Sequence, residues 1–340
     1  MSQLVKKIRT SAGDCQIDYN ALANLPTTDT TLGVSGKAAD AKIVGDKFDT
    51  MATKDYVNTT FSNPNLLING DFQIWQRGES FSNISNKYTA DRWMIKNAKG
   101  NTSLVERSTD IPSSEYLRQS IHITETLTEN TYLRYNFENA LKGTLTLSFW
   151  YKTSVAFNSY IYDNSTLVHL GKLTTLNTWT KATFTFTVSS MTFVSIIHAM
   201  SVGDCYIAGV KLEYGDIATV LMPRLGAEEL ALCQRYYIKM QSTYPLMMTQ
   251  QNVAESYSYM PIPLPASLRV APTITCNNVK LMRNGVGGNW FDVTSVTCIG
   301  FSKMGVTLKL DLLNATYDVG IPYFLILPNS GYIEFDAEIY

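Results

Sequence analysis

Few side chains in this sequence are of a type that could do covalent chemistry. The three histidines are His122, His169 and His198. His122 lies in SIHIT and His198 in IIHAM, apolar runs that read as strands, where an imidazole more often packs than catalyses. There is no G-x-S-x-G elbow, no H-E-x-x-H and no glycine-rich phosphate loop. Asp71, Glu79 and Asp91 crowd into NLLINGDFQIWQRGESF (Asn65 to Phe81) and YTADRW (Tyr88 to Trp93). Two carboxylates held about 5–9 Å apart can cleave a glycosidic bond. Asp71, however, follows Gly70 in a turn where its side chain can bond local backbone, and Asp91 directly precedes Arg92. Both read as structural. Cys15, Cys205, Cys233, Cys276 and Cys298 include no C-x-x-C pair, which suggests free thiols rather than a zinc site or a disulfide framework. The expectation is a non-enzyme with no catalytic residue, no metal and no cofactor.

The aromatic residues offer a different chemistry. An exposed ring can stack on the apolar face of a sugar while amides and charges fix the hydroxyls. Trp75 follows Phe72 and Ile74 in a broken apolar run and is expected in a core. In TLTLSFWYKT, Leu145, Leu147 and Phe149 share one parity, while Thr146, Ser148 and Trp150 share the other. Trp150 therefore faces outward if Leu147 faces in. Tyr160 and Tyr162 have the same parity and could continue its surface. Trp93, beside Arg92, is a further candidate. The candidate glycan-binding residues are thus Trp150, Tyr160, Tyr162 and Trp93.

A mainly β scaffold is expected to carry these rings. Charged residues make up only 17% of the 340, and 37 threonines, 20 tyrosines and 14 phenylalanines favour pleated surfaces. A net charge of −1 gives no electrostatic reason to expect nucleic acid or an anionic membrane as partner. No run approaches the roughly 18–20 apolar residues of a membrane span, and MSQLVKKIRTSAGD has no signal-peptide core.

Many short alternating runs separated by polar turns, ATFTFTV (Ala182 to Val188) the clearest, predict a β-sandwich or jelly roll over residues 63–223. LGAEELALCQRYYIKM, starting at Leu225, predicts a helix. Four prolines between Pro261 and Pro272 then mark an extended stretch, and a smaller β domain completes residues 224–340. Residues 1–35 are poor in apolar side chains and read as an attachment segment. Within 36–62, a 3-4 spacing of Ala38, Ala41, Val44, Phe48 and Met51 predicts short helices. Helices this short are weak alone, so they either dock on the next domain or associate between copies.

NLLINGDFQIWQRGESF and YTADRW, with VKLEYGDIATVLMPRLGAEELALCQRYY downstream, resemble a recurring pattern in bacteriophage and prophage tail-fibre, or receptor-binding, proteins. DTTLGVSGKAADAKIVGDKF, LPASLRVAPTIT and the final FDAEIY resemble further parts of such proteins, so the likeness covers roughly residues 30–340. The chain has Leu268-Arg269 where those fibres often have Met-Arg.

The resemblance implies a sandwich similar to carbohydrate-binding modules, a homotrimer, and an N-terminal segment bound to other tail or collar proteins. It also implies adhesion to a bacterial surface glycan, and a place in the virion after synthesis in the host cytoplasm. It further implies that the Asn-Gly-Asp strand packs beside VKLEYG, which would bring Asp71 and Glu213 toward one structural cation. A fibre adaptor without a glycan site and a polysaccharide depolymerase are the alternative functions.

Overall fold

The structure is a computed structural model that describes residues 7–10, 13–16, 62–97, 102–113, 116–126, 131–174, 177–241, 257–283, 290–302, 305–312, 321, 323–328 and 330–340. The expected helices of 36–62, and nearly all of the attachment segment 1–35, lie outside these residues. The chain divides into two compact units, Met1–Phe61 and Ser62–Tyr340. The described part of the first is an antiparallel hairpin of β1 (Lys7–Thr10) and β2 (Gly13–Gln16).

The second unit is mainly β, as its alternating runs predict. Ten antiparallel strands are hydrogen-bonded in one folded sheet: β3 (Ser80–Ile84), β4 (Lys87–Tyr88), β5 (Trp93–Asn97), β6 (Thr102–Ser108), β7 (Ser120–Glu125), β8 (Thr131–Thr153), β9 (Phe157–Asp163), β10 (Thr166–Leu173), β11 (Thr180–Met200) and β12 (Gly203–Tyr214). β8 and β11 run through both layers of the resulting sandwich. Their early and late halves pair with each other, but the register shifts between Val188, Met191 and Phe193, opposite Gly143 and Leu141. Gly143 has φ 111°, a conformation costly for any other residue. Bulges there bend both strands from one layer into the other.

One layer holds β5, the first part of β8, the last part of β11, β9 and β10. The other holds the rest of β8 and β11 with β12, β7, β6 and β3. Between them lies a core that includes Leu147, Phe149, Ile161, Val194, Ile207 and Leu212.

The segment before β3 follows the expected path. Leu66 N–H donates to Leu212 O (2.8 Å) and Val210 N–H to Gly70 O (2.7 Å), so Asn65–Gly70 lies beside β12. A Cβ on Gly70 would meet Val210 O at 2.2 Å, so the turn requires glycine.

After the sandwich, α1 (Gly226–Gln234) is shorter than the sequence predicts. The YYIKM half of that run, rich in aromatic and β-branched residues, forms β13 (Tyr237–Met240). β13 pairs with β20 (Tyr332–Asp336), which also pairs with β15 (Thr273–Asn277). A five-stranded sheet follows the order β14 (Tyr257–Pro263), β18 (Gly305–Leu312), β17 (Trp290–Ser302), β16 (Lys280–Arg283) and β19 (Tyr323–Ile326). Pro261 and Pro263, expected only in an extended stretch, lie in β14. That strand is at the sheet edge, where a missing N–H costs least. A second hydrophobic core, including Leu281, Leu308, Leu325 and Phe335, holds these sheets together. No helix among the described residues is long and apolar enough to cross a membrane.

Candidate functional site

Most residues of the opening motifs face the inside of the molecule, while Glu79 and Ser80 are exposed. Asn69, fully buried at φ 58°, donates through Nδ2 to Ile74 O (2.8 Å) and Asp91 O (2.9 Å), and accepts from Ile74 N–H at 3.0 Å. The Trp93 indole donates to Asn69 O at 2.8 Å and that of Trp75 to Phe72 O at 2.6 Å. Trp93 is wholly buried, against Phe72 and Tyr135. It cannot present a ring to a ligand, which corrects its place among the candidates. The cause is register: Trp93 pairs with Tyr135, whose side chain also points into the core.

The crowded acids are likewise engaged separately. Asp91 accepts from the Gln76 amide N–H at 3.0 Å and faces Arg77 at 3.7 Å. Glu79 pairs with Arg107. Asp71 accepts from Gln73 Nε2 at 3.0 Å. Burial first, and then the charge of Glu229, raise the Asp71 carboxyl to about 6. Glu229 itself receives Asn69 N–H and Arg224 Nη1, so it ties α1 to the opening turn. Glu213 is bound by Thr219 and Lys211, a set of partners separate from those of Asp71.

Four stretches of the sequence meet in one buried polar seam. Arg92, at φ 71° and 1% exposed, pairs with Glu338 and donates to Asn136 O at 2.7 Å. Its guanidinium lies 3.6 Å from the Tyr236 ring centre. Arg77 faces Asp91, Asp336 and Glu338, and lies 3.5 Å from the centre of the Tyr237 ring. The QRGES, YTADRW, CQRYY and FDAEIY stretches thus clamp the sandwich to the sheet that follows it.

Two outward faces remain, one on each layer, and the sequence candidates divide between them. Trp150 faces outward from β8 as its parity requires, since Leu147 is fully buried. It is half-covered, packed in a small cluster with Ile111, Leu117, Trp179, Ala208 and Leu221. Nearby, Tyr206 stacks on His122 at 4.0 Å and 3°, and Lys152 lies 4.5 Å from the centre of the Tyr206 ring. The polar groups of this face bind one another. His122 lies 3.0 Å from both Glu106 and Asp204, Lys152 pairs with Asp110, and the Trp179 indole donates to Asp110 at 3.0 Å. Burial raises the Asp110 carboxyl, but hydrogen bonds from Lys152 and Trp179 outweigh it and hold the group below the usual range.

Tyr160 and Tyr162 do not continue the Trp150 surface. β9 belongs to the other layer, because β8 and β11 change layers between the two faces. There, a groove of about 700 Å³ is lined by Tyr162, Phe193, Arg134, Lys96, Asn136 and Tyr340, among others. Register sets up a cross-strand row: Tyr162 opposite Phe193, Phe193 opposite Asn136, and Arg134 opposite Met94, next to Lys96. Tyr162 and Phe193 stack at 4.9 Å and 5°, and the Arg134 guanidinium lies 3.9 Å from the Phe193 ring centre. Beside the row, His198 packs against Tyr132 (4.7 Å), and against Tyr160 at 4.2 Å. The alternation of TFVSIIHAM and YLRYNF shows that Phe193 and Arg134 share a parity with their neighbours. It does not show that the two strands are adjacent.

No family model and no curated protein matches the chain. Among solved structures, similarity is found to the enzymatically active domain of bacteriophage CBA120 tailspike protein 4, at 18% identity and TM-score 0.34 over 44% of this chain and 21% of the tailspike. It is also found to TmCBM61 in complex with β-1,4-galactotriose, at 13% identity and TM-score 0.32 over 44% of this chain and 97% of that one. A third is the CBM22-1 xylan-binding domain of Paenibacillus barcinonensis Xyn10C, at 12% identity and TM-score 0.29 over 48% and 100% of the two chains. The match spans about a fifth of the tailspike's length.

Proposed function

We propose that this chain is a glycan-binding protein whose sugar site is the groove beside Tyr162 and Phe193, and that it acts without covalent chemistry. The observation that carries the reading is the half-buried pair of parallel, stacked rings at a groove furnished with amide and cationic side chains. An aromatic ring such as Tyr162 takes the apolar face of a pyranose, and the adjacent cations Arg134 and Lys96 can fix its oxygens. The Trp150 face is the weaker candidate, because its ring is packed under loop residues and its polar neighbours are bound to each other.

The motif resemblance supports the finer part of the proposal. The protein serves as a virion tail fibre for host attachment, residues 1–35 bind other tail or collar proteins, and residues 36–62 associate three copies. Three weak sites on one particle would then bind a surface cooperatively through multivalency.

A glycan array probed with wild-type chain, Tyr162→Ala and Trp150→Ala tests the site. Loss of a hot-spot ring typically costs about 2 kcal/mol or more, so Tyr162→Ala should lower affinity about thirtyfold while the domain melts as before. Retained binding in Tyr162→Ala with loss in Trp150→Ala would move the site to the other layer. A wild-type chain that binds no glycan would leave the adaptor reading. Sugar release from a bound polysaccharide would establish the depolymerase. Mass measurement of the full chain in solution tests the trimer, and a monomer at micromolar concentration would exclude it.

A further inference from the structure

The groove carries more charge than a neutral sugar needs. Arg134 and Lys96 project from adjacent strands onto the same face, two positions apart in register. Among the described residues neither has a carboxylate partner, and the lining of the groove contains no Asp or Glu. This contrasts with Arg77, Arg92, Arg107 and Lys152, each of which faces an acid. The Arg134 Nε is shielded from solvent and has no hydrogen-bond partner, and the same holds for His198 Nδ1 beside it. Phe193 fixes the guanidinium plane from one side, which leaves its donor edge oriented rather than mobile.

We propose that the groove selects an acidic sugar, with Arg134 donating to the oxyanion of the ring held by Tyr162 and Phe193, and Lys96 adding long-range attraction. A guanidinium matches a carboxylate through two parallel N–H bonds, and a sulfate or phosphate ester through the same donors. The unbalanced charge is visible in the groups themselves. The positive charge of Arg134 first, and then burial, lower the Lys96 pKa. Burial lowers the pKa of Arg134. Burial, followed by the charges of Arg134 and His169, also lowers that of His198. A bound anion relieves all of these costs together.

The inference rests on the glycan reading, and one experiment separates the two. Affinity electrophoresis of the full chain is run through polygalacturonate and its carboxyl-reduced form, through colominic acid and its carboxyl-reduced form, and through dextran sulfate and dextran. We expect retardation by at least one acidic member of a pair, about tenfold weaker for its neutral counterpart, and weakened by added salt. Binding confined to dextran sulfate assigns a sulfate ester, and binding to the uronate or sialate forms a carboxylate.

Arg134→Gln should lose about tenfold for the acid form only, with Tyr162→Ala losing both forms. Lys96 is exposed, so Lys96→Gln keeps the fold and should cost a few-fold, about what one screened surface charge contributes. Equal binding of acidic and neutral forms, or an acid form bound equally by the Arg134→Gln and wild-type chains, overturns the inference and keeps the glycan site. No retardation by any of the six polymers overturns both.

Discussion

The guanidinium of Arg92 lies 3.6 Å from the centre of the Tyr236 ring, and that of Arg134 lies 3.9 Å from the centre of the Phe193 ring. Arg134 lies in the first part of β8 and Arg92 donates to it at Asn136, and their surroundings differ in one respect. Arg92 is sealed at the seam with Glu338 and Asn136, while Arg134 lines an open groove without an Asp or Glu side chain. A stacked arginine that also has a buried carboxylate is a clamp. The same stack without its counter-ion leaves binding capacity for something outside the chain. Burying two opposite charges together does little for net stability, but removing one of them strands the other. The seam should therefore be intolerant of substitution and the groove tolerant.

The largest expected effect tests the seam. Glu338→Gln leaves Arg92 charged in a buried site, and should destabilise the unit by about 3–5 kcal/mol, read by urea unfolding. A loss below about 1 kcal/mol would mean the seam is more solvated than its exposure indicates.

Trp150→Ala comes next. Its half-buried ring covers Leu117 and Leu221, so roughly 2 kcal/mol of stability should be lost with glycan binding unchanged. Loss of binding with unchanged melting would instead make this face the functional one.

The third effect is pH-dependent. Burial, aided by Glu229, keeps the Asp71 carboxyl protonated in the folded state up to about pH 6. In the unfolded chain that proton leaves near the ordinary value of about 3.9. The folded state therefore binds more protons between these values, and this group's contribution to stability falls as pH rises from 4 to 6. Asp71→Asn should remove about 2 kcal/mol of that fall, leaving the part due to Asp91, which burial also raises to about 6. An unchanged slope between pH 4 and 6 would show that Asp71 titrates like an exposed acid.

The smallest effect sharpens the comparison most. Arg134→Ala should change stability by less than about 0.5 kcal/mol, or raise it, because it removes a cation that no carboxylate stabilises. A loss comparable to that of Glu338→Gln would make Arg134 a second clamp and remove the basis for an anionic ligand.

Period-two alternation alone determined which side of each strand is apolar. It predicted the mainly β class, the inward face of Leu145, Leu147 and Phe149, and the outward face of Trp150. Turn chemistry was also local, so the Asn69-Gly70 turn could be anticipated, whereas its packing beside β12 was implied only by the motif resemblance. The short α1 was not, because pairing of YYIKM with β20, about a hundred residues away, outcompetes helix propensity. Nor could parity place Tyr160 and Tyr162 relative to Trp150. Which layer a strand joins depends on where its partners bend, and bulges in β8 and β11 moved the tyrosines to the opposite face.

Trp93 and the Arg77–Arg92–Glu338 seam illustrate the same physics. Burial and ion pairing are set by what packs on a residue from elsewhere in the chain. Sequence names the final partner of neither Arg92 nor Arg134, and only tertiary packing gave one the Glu338 carboxylate and left the other facing a groove.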